Sequence, residues 1–208
     1  MNKVYFISDL HLSHFNIMQY EPCRVEAVVQ YLIERNLTEF SANELRSNFD
    51  KVVKTGEGKE FWIKWHDNML IDNWNSIVKE DDVVWFLGDL GFGKEADLND
   101  IRNKVQKLKG HKKMIYGNHD KQKPAYYYSC GFEEVSRYSV VLKGKFLLSH
   151  APNVVIADSR GGDFFNIFGH VHSKLGDYSG NGRCVCVEVQ DFKPIAIPEF
   201  DEAEEEES

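Results

Sequence analysis

Five separate apolar runs in this chain of 208 residues end in side chains able to bind a metal. VYFIS leads into Asp9 and His11 within ISDLHLSHFN, residues 7–16, and DDVVWFLGDLG delivers Asp89. KKMIYGNHD closes on Asn118, His119 and Asp120, YSVVLKGKFLLSH on His150, and NIFGHVH on His170 and His172. Six of the eight histidines lie at or beside these endings, His14 included, and only His66 and His111 fall elsewhere. Short apolar runs of this kind read as buried strands. Open α/β sheets bind ligands at the carboxyl ends of their strands, so endings far apart in sequence are expected to converge in space. Carboxylate and neutral imidazole together suit manganese, iron, cobalt, nickel or zinc. An H-x-H pair on an extended strand presents both rings on one face. Gly88, Gly117 and Gly169 stand beside these residues, where a missing Cβ permits close backbone approach.

Helices are expected between the runs. Val25, Val28, Val29, Leu32 and Ile33 recur at helical spacing, as do Trp62, Trp65, Met69, Leu70, Trp74 and Ile77, and Leu98, Ile101, Val105 and Leu108. The tryptophans read as core residues rather than a base-stacking platform, His66 as a helix-face residue and His111 as surface. Residues 36–60 read as a polar helical hairpin or excursion turning at Gly56 to Gly58. CVCVEVQ and KPIAIPEF read as late strands. Strands alternating with helices, then strands alone, predict an α/β layered fold. The expected organisation is a single domain over residues 1–200, with an insertion near residues 34–62.

An apolar share of 42% and a charged share of 28% are ordinary for a globular protein. No apolar run approaches the ~20 residues that span a bilayer, and the N-terminus does not read as a signal peptide, so a cytoplasmic location is the default expectation. Cys23, Cys130, Cys184 and Cys186 match no zinc-ribbon spacing and are expected to be reduced and mostly buried. The tail at residues 201–208, DEAEEEES, is expected to be disordered. Setting aside its six acids brings the net charge from −8 to −2. A body so near neutrality gives no sign of the broad basic surface that extended duplex nucleic acid needs, and leaves room for a small nucleotide or a single-strand end.

D-x-H at Asp9 and His11, G-D at Gly88 and Asp89, G-N-H-D at Gly117 to Asp120, a lone His150 after a strand, and G-H-x-H at Gly169 to His172 resemble the calcineurin-like metallophosphoesterase superfamily. DLHLSHFNI followed by NWNSIV and LGDLGFG is similar to its small single-domain bacterial and phage members. The resemblance covers about residues 3–190 and leaves out the stretch near 34–62. It implies a four-layer αββα sandwich, two packed mixed sheets flanked by helices. It also implies two divalent metal ions, manganese foremost, with iron, zinc, nickel or cobalt as alternatives. By position, Asp9, His11 and His172 would hold the first ion, Asn118, His150 and His170 the second, and Asp89 both. His119 would face the substrate as general acid, oriented by Asp120. The implied reaction is hydrolysis of a phosphodiester or phosphomonoester by a metal-bridging hydroxide, with a small nucleotide-like phosphodiester favoured.

His14 and Asn16 sit where small members place a substrate-binding His and Asn; the plainer reading is that His14 caps the turn after the strand. Lys121 could draw in an anionic substrate, as could Lys123, Arg24 and Arg160, although solvated surface charge is the commoner case. GDLGFG lacks the arginine of the protein-phosphatase pattern GDxVDRG. The H-x-H-x-D-H of metallo-β-lactamase-type hydrolases is absent. The competing class is a non-catalytic interaction module built on the same fold.

Overall fold

The computed structural model describes residues 2–92, 95–153, 164–174, 181–198 and 200, the side chains of residues 95 and 96 apart. The expectations for Arg160 and the acidic tail lie outside these residues. The first sheet is β1 (Val4–Ile7), β2 (Val83–Phe86), β3 (His111–Ile115) and β4 (Phe132–Ser136), in that spatial order and parallel throughout. Parallel neighbours need a crossover, usually helical. Here α1 (Ile17–Tyr20), α2 (Cys23–Glu34), α3 (Ala42–Thr55) and α4 (Lys59–Ile77) link β1 to β2. The later crossovers are α5 (Glu95–Val105) and α6 (Pro124–Ser129). The second sheet runs β5 (Val140–Leu142), β6 (Phe146–Ser149), β7 (Phe165–Phe168) and β8 (Gly182–Cys184). Its first pair is antiparallel and the others parallel, so of the two sheets only this one is mixed.

The period of two along each strand sorts the core into layers. Tyr5, Ile7, Val84, Phe86 and Met114 pack with residues of all six α-helices, including Val28, Leu32, Met69, Trp74, Val105 and Tyr127. Phe6, Trp85, Leu87 and Ile115 point the other way and meet Phe146, Leu148 and Ile167 between the sheets. Trp62 and Trp74 are almost completely buried, as their spacing predicts. Two sheets flanked by helices make the α/β fold expected. Among the described residues no helix is long and apolar enough to cross a membrane.

Residues 36–60, expected as a helical hairpin or an excursion, hold the one helix α3 and the turn that leads into α4. Ser41 and Glu44 cap α3 reciprocally, and Gly56 ends it at φ 77°. The segment is no appendage, because Leu45, Phe49 and Val52 join the main core. Phe49 meets Trp62 at 4.9 Å between ring centroids and Phe15 at 5.5 Å, directly beneath the loop that follows β1.

The late strands are shorter than expected. After β8 the CVCVEVQ run turns into a 3₁₀ turn at Val187–Val189. Among the described residues of KPIAIPEF, strand pairing is limited to the bridge from Ile195 to Phe6. Pro194 and Pro198 have no N–H to extend a ladder there. Sequence reading also passed over α6 and β4, whose run FEEVS carries two exposed acids on the sheet's edge.

Candidate metal centre

Parallel strands bring β1, β2 and β3 out on one edge of the first sheet. Past the strands the loops remain stitched together: Asp9 N–H donates to Gly88 O at 2.9 Å and His11 N–H to Asp89 O at 3.0 Å. Ser8 N–H donates to Val185 O at 2.9 Å, joining this edge to the second sheet, and Gly169 N–H donates to His150 O at 2.7 Å. The loops are held in an uncommon conformation. Asp9, His11, Asp89, His170 and His172 all have left-handed φ, at 61°, 50°, 59°, 73° and 52°. Such residues cost of the order of 1–3 kcal/mol each and cluster at functional sites.

Two groups of side chains result. Asp9, His11 and His172 each offer a ligand atom within 4.8 Å of the others, and so do Asp89, His150 and His170. Asp89 stands between them, its Oδ2 lying 3.6 Å from His11 Nε2 and 3.5 Å from His150 Nε2. Its Oδ1 accepts from the His119 N–H at 2.8 Å. Asn118 Oδ1 completes the second group, 2.9 Å from His150 Nε2 and 2.8 Å from His170 Nδ1. The sequence-predicted metal ligands therefore all come together.

Divalent cations fit these groups on two observations. Asp9 Oδ1 and His11 Nε2 are buried with no hydrogen-bond partner in the structure. They lie 3.9 Å apart, and Asp9 Oδ1 lies 3.7 Å from His172 Nε2. Those distances are too long for hydrogen bonds, yet two ligands on one first-row cation are at most ~4.4 Å apart, given bonds of ~2.0–2.2 Å. The tautomers also suit. His150 Nδ1 faces Leu87 O at 2.8 Å and so carries the proton, leaving the Nε2 lone pair free to bind a cation. His172 Nδ1 likewise donates to Glu188 Oε1 at 2.8 Å.

Close approach explains two of the glycines. A Cβ on Gly117 would sit 2.1 Å from Asp89 Oδ1, and one on Gly169 would sit 2.3 Å from Ser8 Oγ and 2.6 Å from Asp9 Oδ2.

Burial sets the electrostatics. It raises the Asp9 carboxyl and, with Arg24 adding to the effect, drops the His11 imidazole well below its ordinary value. His14 is pushed down to about 4 by burial and by His119. Burial works against the His172 imidazolium, but the Glu188 hydrogen bond and charge outweigh it and raise that group. Burial opposes the Glu188 carboxylate too, yet Arg24 and His172 hold it down to about 2.

Other expected residues take less expected places. Asp120, expected to orient the His119 ring, makes no hydrogen bond to that ring. Its carboxylate accepts from Asp89 N–H at 2.7 Å, Gly117 N–H at 2.8 Å and Leu90 N–H at 3.1 Å, so it anchors the two loops to each other. The His119 ring packs against His11, at 5.5 Å between centroids, and Phe92, at 5.6 Å. His14 lies 3.5 Å from His11 between their Nδ1 atoms and stacks on the exposed ring of Phe92 at 4.7 Å. Asn16 is exposed, opens α1 and accepts from Gln19. Lys121 is exposed and lines a cavity of about 200 Å³ with His119, Phe92 and Gln122. Arg24, a candidate for meeting substrate, is instead fully buried behind the site, and His66, expected on a helix face, is buried beside it. Glu188 and Phe92 went unmarked because each sits in an apolar or glycine-rich stretch that signals only packing or turning.

Comparison with known proteins agrees with this arrangement. A protein of Methanocaldococcus jannaschii, the uncharacterized MJ1445, is 30% identical over 203 residues, spanning 95% of this chain and 88% of its own. Gene 66 protein of Mycobacterium phage L5 is 28% identical over 124 residues, or 60% of this chain and 42% of the phage protein. The fold is similar to that of AQ665, a protein of unknown function from Aquifex aeolicus, with a TM-score of 0.61, 24% identity and 97% and 99% of the two chains covered. The model of the calcineurin-like phosphoesterases matches residues 2–197, which takes in all five strand endings. With its candidate ligand groups gathered at one edge of two packed sheets, the chain belongs to the calcineurin-like phosphoesterase family.

Proposed function

We propose that this chain is a dinuclear metal-dependent phosphoesterase that cleaves small nucleotide-like phosphodiesters. The observation that carries the reading is the position of Asp89, whose Oδ2 lies within 3.6 Å of one group's histidine and 3.5 Å of the other's. In this reading Asp9, His11 and His172 would hold one cation, Asn118, His150 and His170 would hold the other, and Asp89 would serve both. When bound, such a pair supplies positive charge for the phosphoryl oxygens and lowers the pKa of water toward neutrality. Manganese is the proposed metal.

The chain's own residues do the rest. His119, whose ring packs edge-on against His11 at 5.5 Å between centroids, donates a proton to the leaving oxygen. Asp120 acts indirectly, as a positioning residue that keeps the Asp89 and Gly117 loops in register. His14 and Phe92 present a stacked pair at the rim, a surface on which a nucleobase can lie. Lys121 offers charge to a second phosphate or a strand end.

The test is hydrolysis of bis-p-nitrophenyl phosphate by protein stripped of metal and resupplied with Mn²⁺, alongside a monoester, cyclic nucleotides and single-stranded DNA. The expected result is turnover that follows added metal, ceases with chelator and favours a diester. Protein that takes up two cations yet hydrolyses none of the four would contradict the proposal and favour an interaction module.

A further inference from the structure

We infer that Glu188 and Arg24 form a positioning pair that builds the first metal position and ties it to the helical layer. The inference rests on His172 being a metal ligand. Glu188 Oε1 accepts from His172 Nδ1 at 2.8 Å and from Arg24 Nε at 2.7 Å, and it also pairs with Arg24 Nη2. A histidine that gives its Nδ1 proton to a carboxylate keeps its Nε2 lone pair aimed at the metal and becomes a stronger donor. Nε2 of His172 is the atom that faces Asp9 Oδ1, at 3.7 Å.

The same guanidinium reaches the other half of the site. Arg24 Nη2 donates to Asp9 O at 2.6 Å and Nη1 to Leu10 O at 3.0 Å. One side chain from α2 therefore fixes the Asp9 loop directly and the His172 loop through Glu188. Behind it, Arg24 Nη1 lies 3.0 Å from His66 Nε2, and His66 Nδ1 donates to Asp67 Oδ1 at 2.9 Å. Asp67 Oδ2 in turn accepts from Ser13 N–H at 2.9 Å and Lys104 Nζ at 2.7 Å. A continuous chain of polar contacts runs from Lys104 on α5 through Asp67 and His66 on α4, Arg24 and Glu188 to the His172 ring.

Fold stability is a poor explanation for this arrangement. The Arg24 and Glu188 side chains are both wholly removed from solvent. A buried ion pair is often no more stable than apolar residues of the same volume. Among the described residues no such carboxylate backs the second metal position, where His150 rests on the neutral carbonyl of Leu87. The pair therefore bears on one metal position and spares the other.

The experiment titrates Mn²⁺ into metal-free wild-type, Glu188→Ala, Glu188→Gln and His172→Ala proteins by calorimetry. ¹⁵N NMR of the metal-free proteins reads the His172 tautomer. In wild type the ring is expected as the Nδ1–H form. Glu188→Ala should weaken one of two sites by ~10–100-fold, leave the other unchanged and let the ring exchange tautomers. Glu188→Gln keeps an acceptor at Oε1, so it should retain the tautomer and bind more tightly at that site than Glu188→Ala. It should still bind more weakly than wild type, and it decides the matter alone if Glu188→Ala does not fold. Wild-type affinity at both sites in the Glu188 variants, with His172→Ala losing one, would overturn the positioning role and leave the ligand reading standing. Unchanged binding in His172→Ala would overturn the ligand reading itself.

Discussion

Asp89→Asn is expected to lower phosphodiester turnover by on the order of 10⁴-fold. Loss of an outer-shell partner costs up to about 100-fold, which sets a floor for loss of a ligand at each of two metal positions. Asn can keep an oxygen where Oδ1 accepts the His119 N–H, so the backbone of the GNHD loop stays in place. Its NH₂ then replaces Oδ2, the atom facing both His11 Nε2 and His150 Nε2. A ligand atom shared by two groups becomes a donor that can bind neither cation. The metal-free variant should melt no lower than wild type, because a neutral amide is cheaper to bury than a carboxylate. Steady-state rates with added Mn²⁺, paired with thermal denaturation in chelator, measure both halves. Loss of activity together with a lower metal-free melting temperature would mean that Asp89 supports the fold instead.

The next largest effect is expected from His119→Ala, and it depends on the substrate. A positioned general acid contributes about 10²–10⁴-fold. A nucleoside leaving group needs that proton, whereas p-nitrophenolate is stable without it. The variant should therefore lose two or more orders of magnitude on a dinucleotide and little on bis-p-nitrophenyl phosphate. Its metal stoichiometry should be unchanged, since only the backbone of His119 touches the proposed ligands by hydrogen bond, through Asp89 Oδ1. Equal losses on both substrates would argue that the ring positions substrate or solvent rather than donating a proton.

Much of this site is legible in the sequence because each ligand ends an apolar run, and a run of buried residues states where its strand ends. Phe6 and Trp85 face the second sheet while Ile7 and Phe86 face the helices, and both apolar faces together make the run continuous. The supporting residues have no such marker. Arg24 reads as one charge on an amphipathic helix, although its guanidinium is fully buried. Glu188 lies in a run that alternates like a strand, whereas a 3₁₀ turn there brings its carboxylate to His172. Asp120 lies beside a histidine in GNHD, and adjacency suggested a partner where the fold supplies three backbone amides. Ends of strands are local facts, while the far sides of a buried network depend on which helix lies beneath which loop.

The most direct measurement is anomalous diffraction from crystals of the Mn²⁺-loaded protein. Two manganese peaks are predicted on either side of the Asp89 carboxylate. One should touch Asp9, His11 and His172, and the other Asn118, His150 and His170. A single peak, or peaks away from Asp89, would contradict the dinuclear centre on which the proposed chemistry stands.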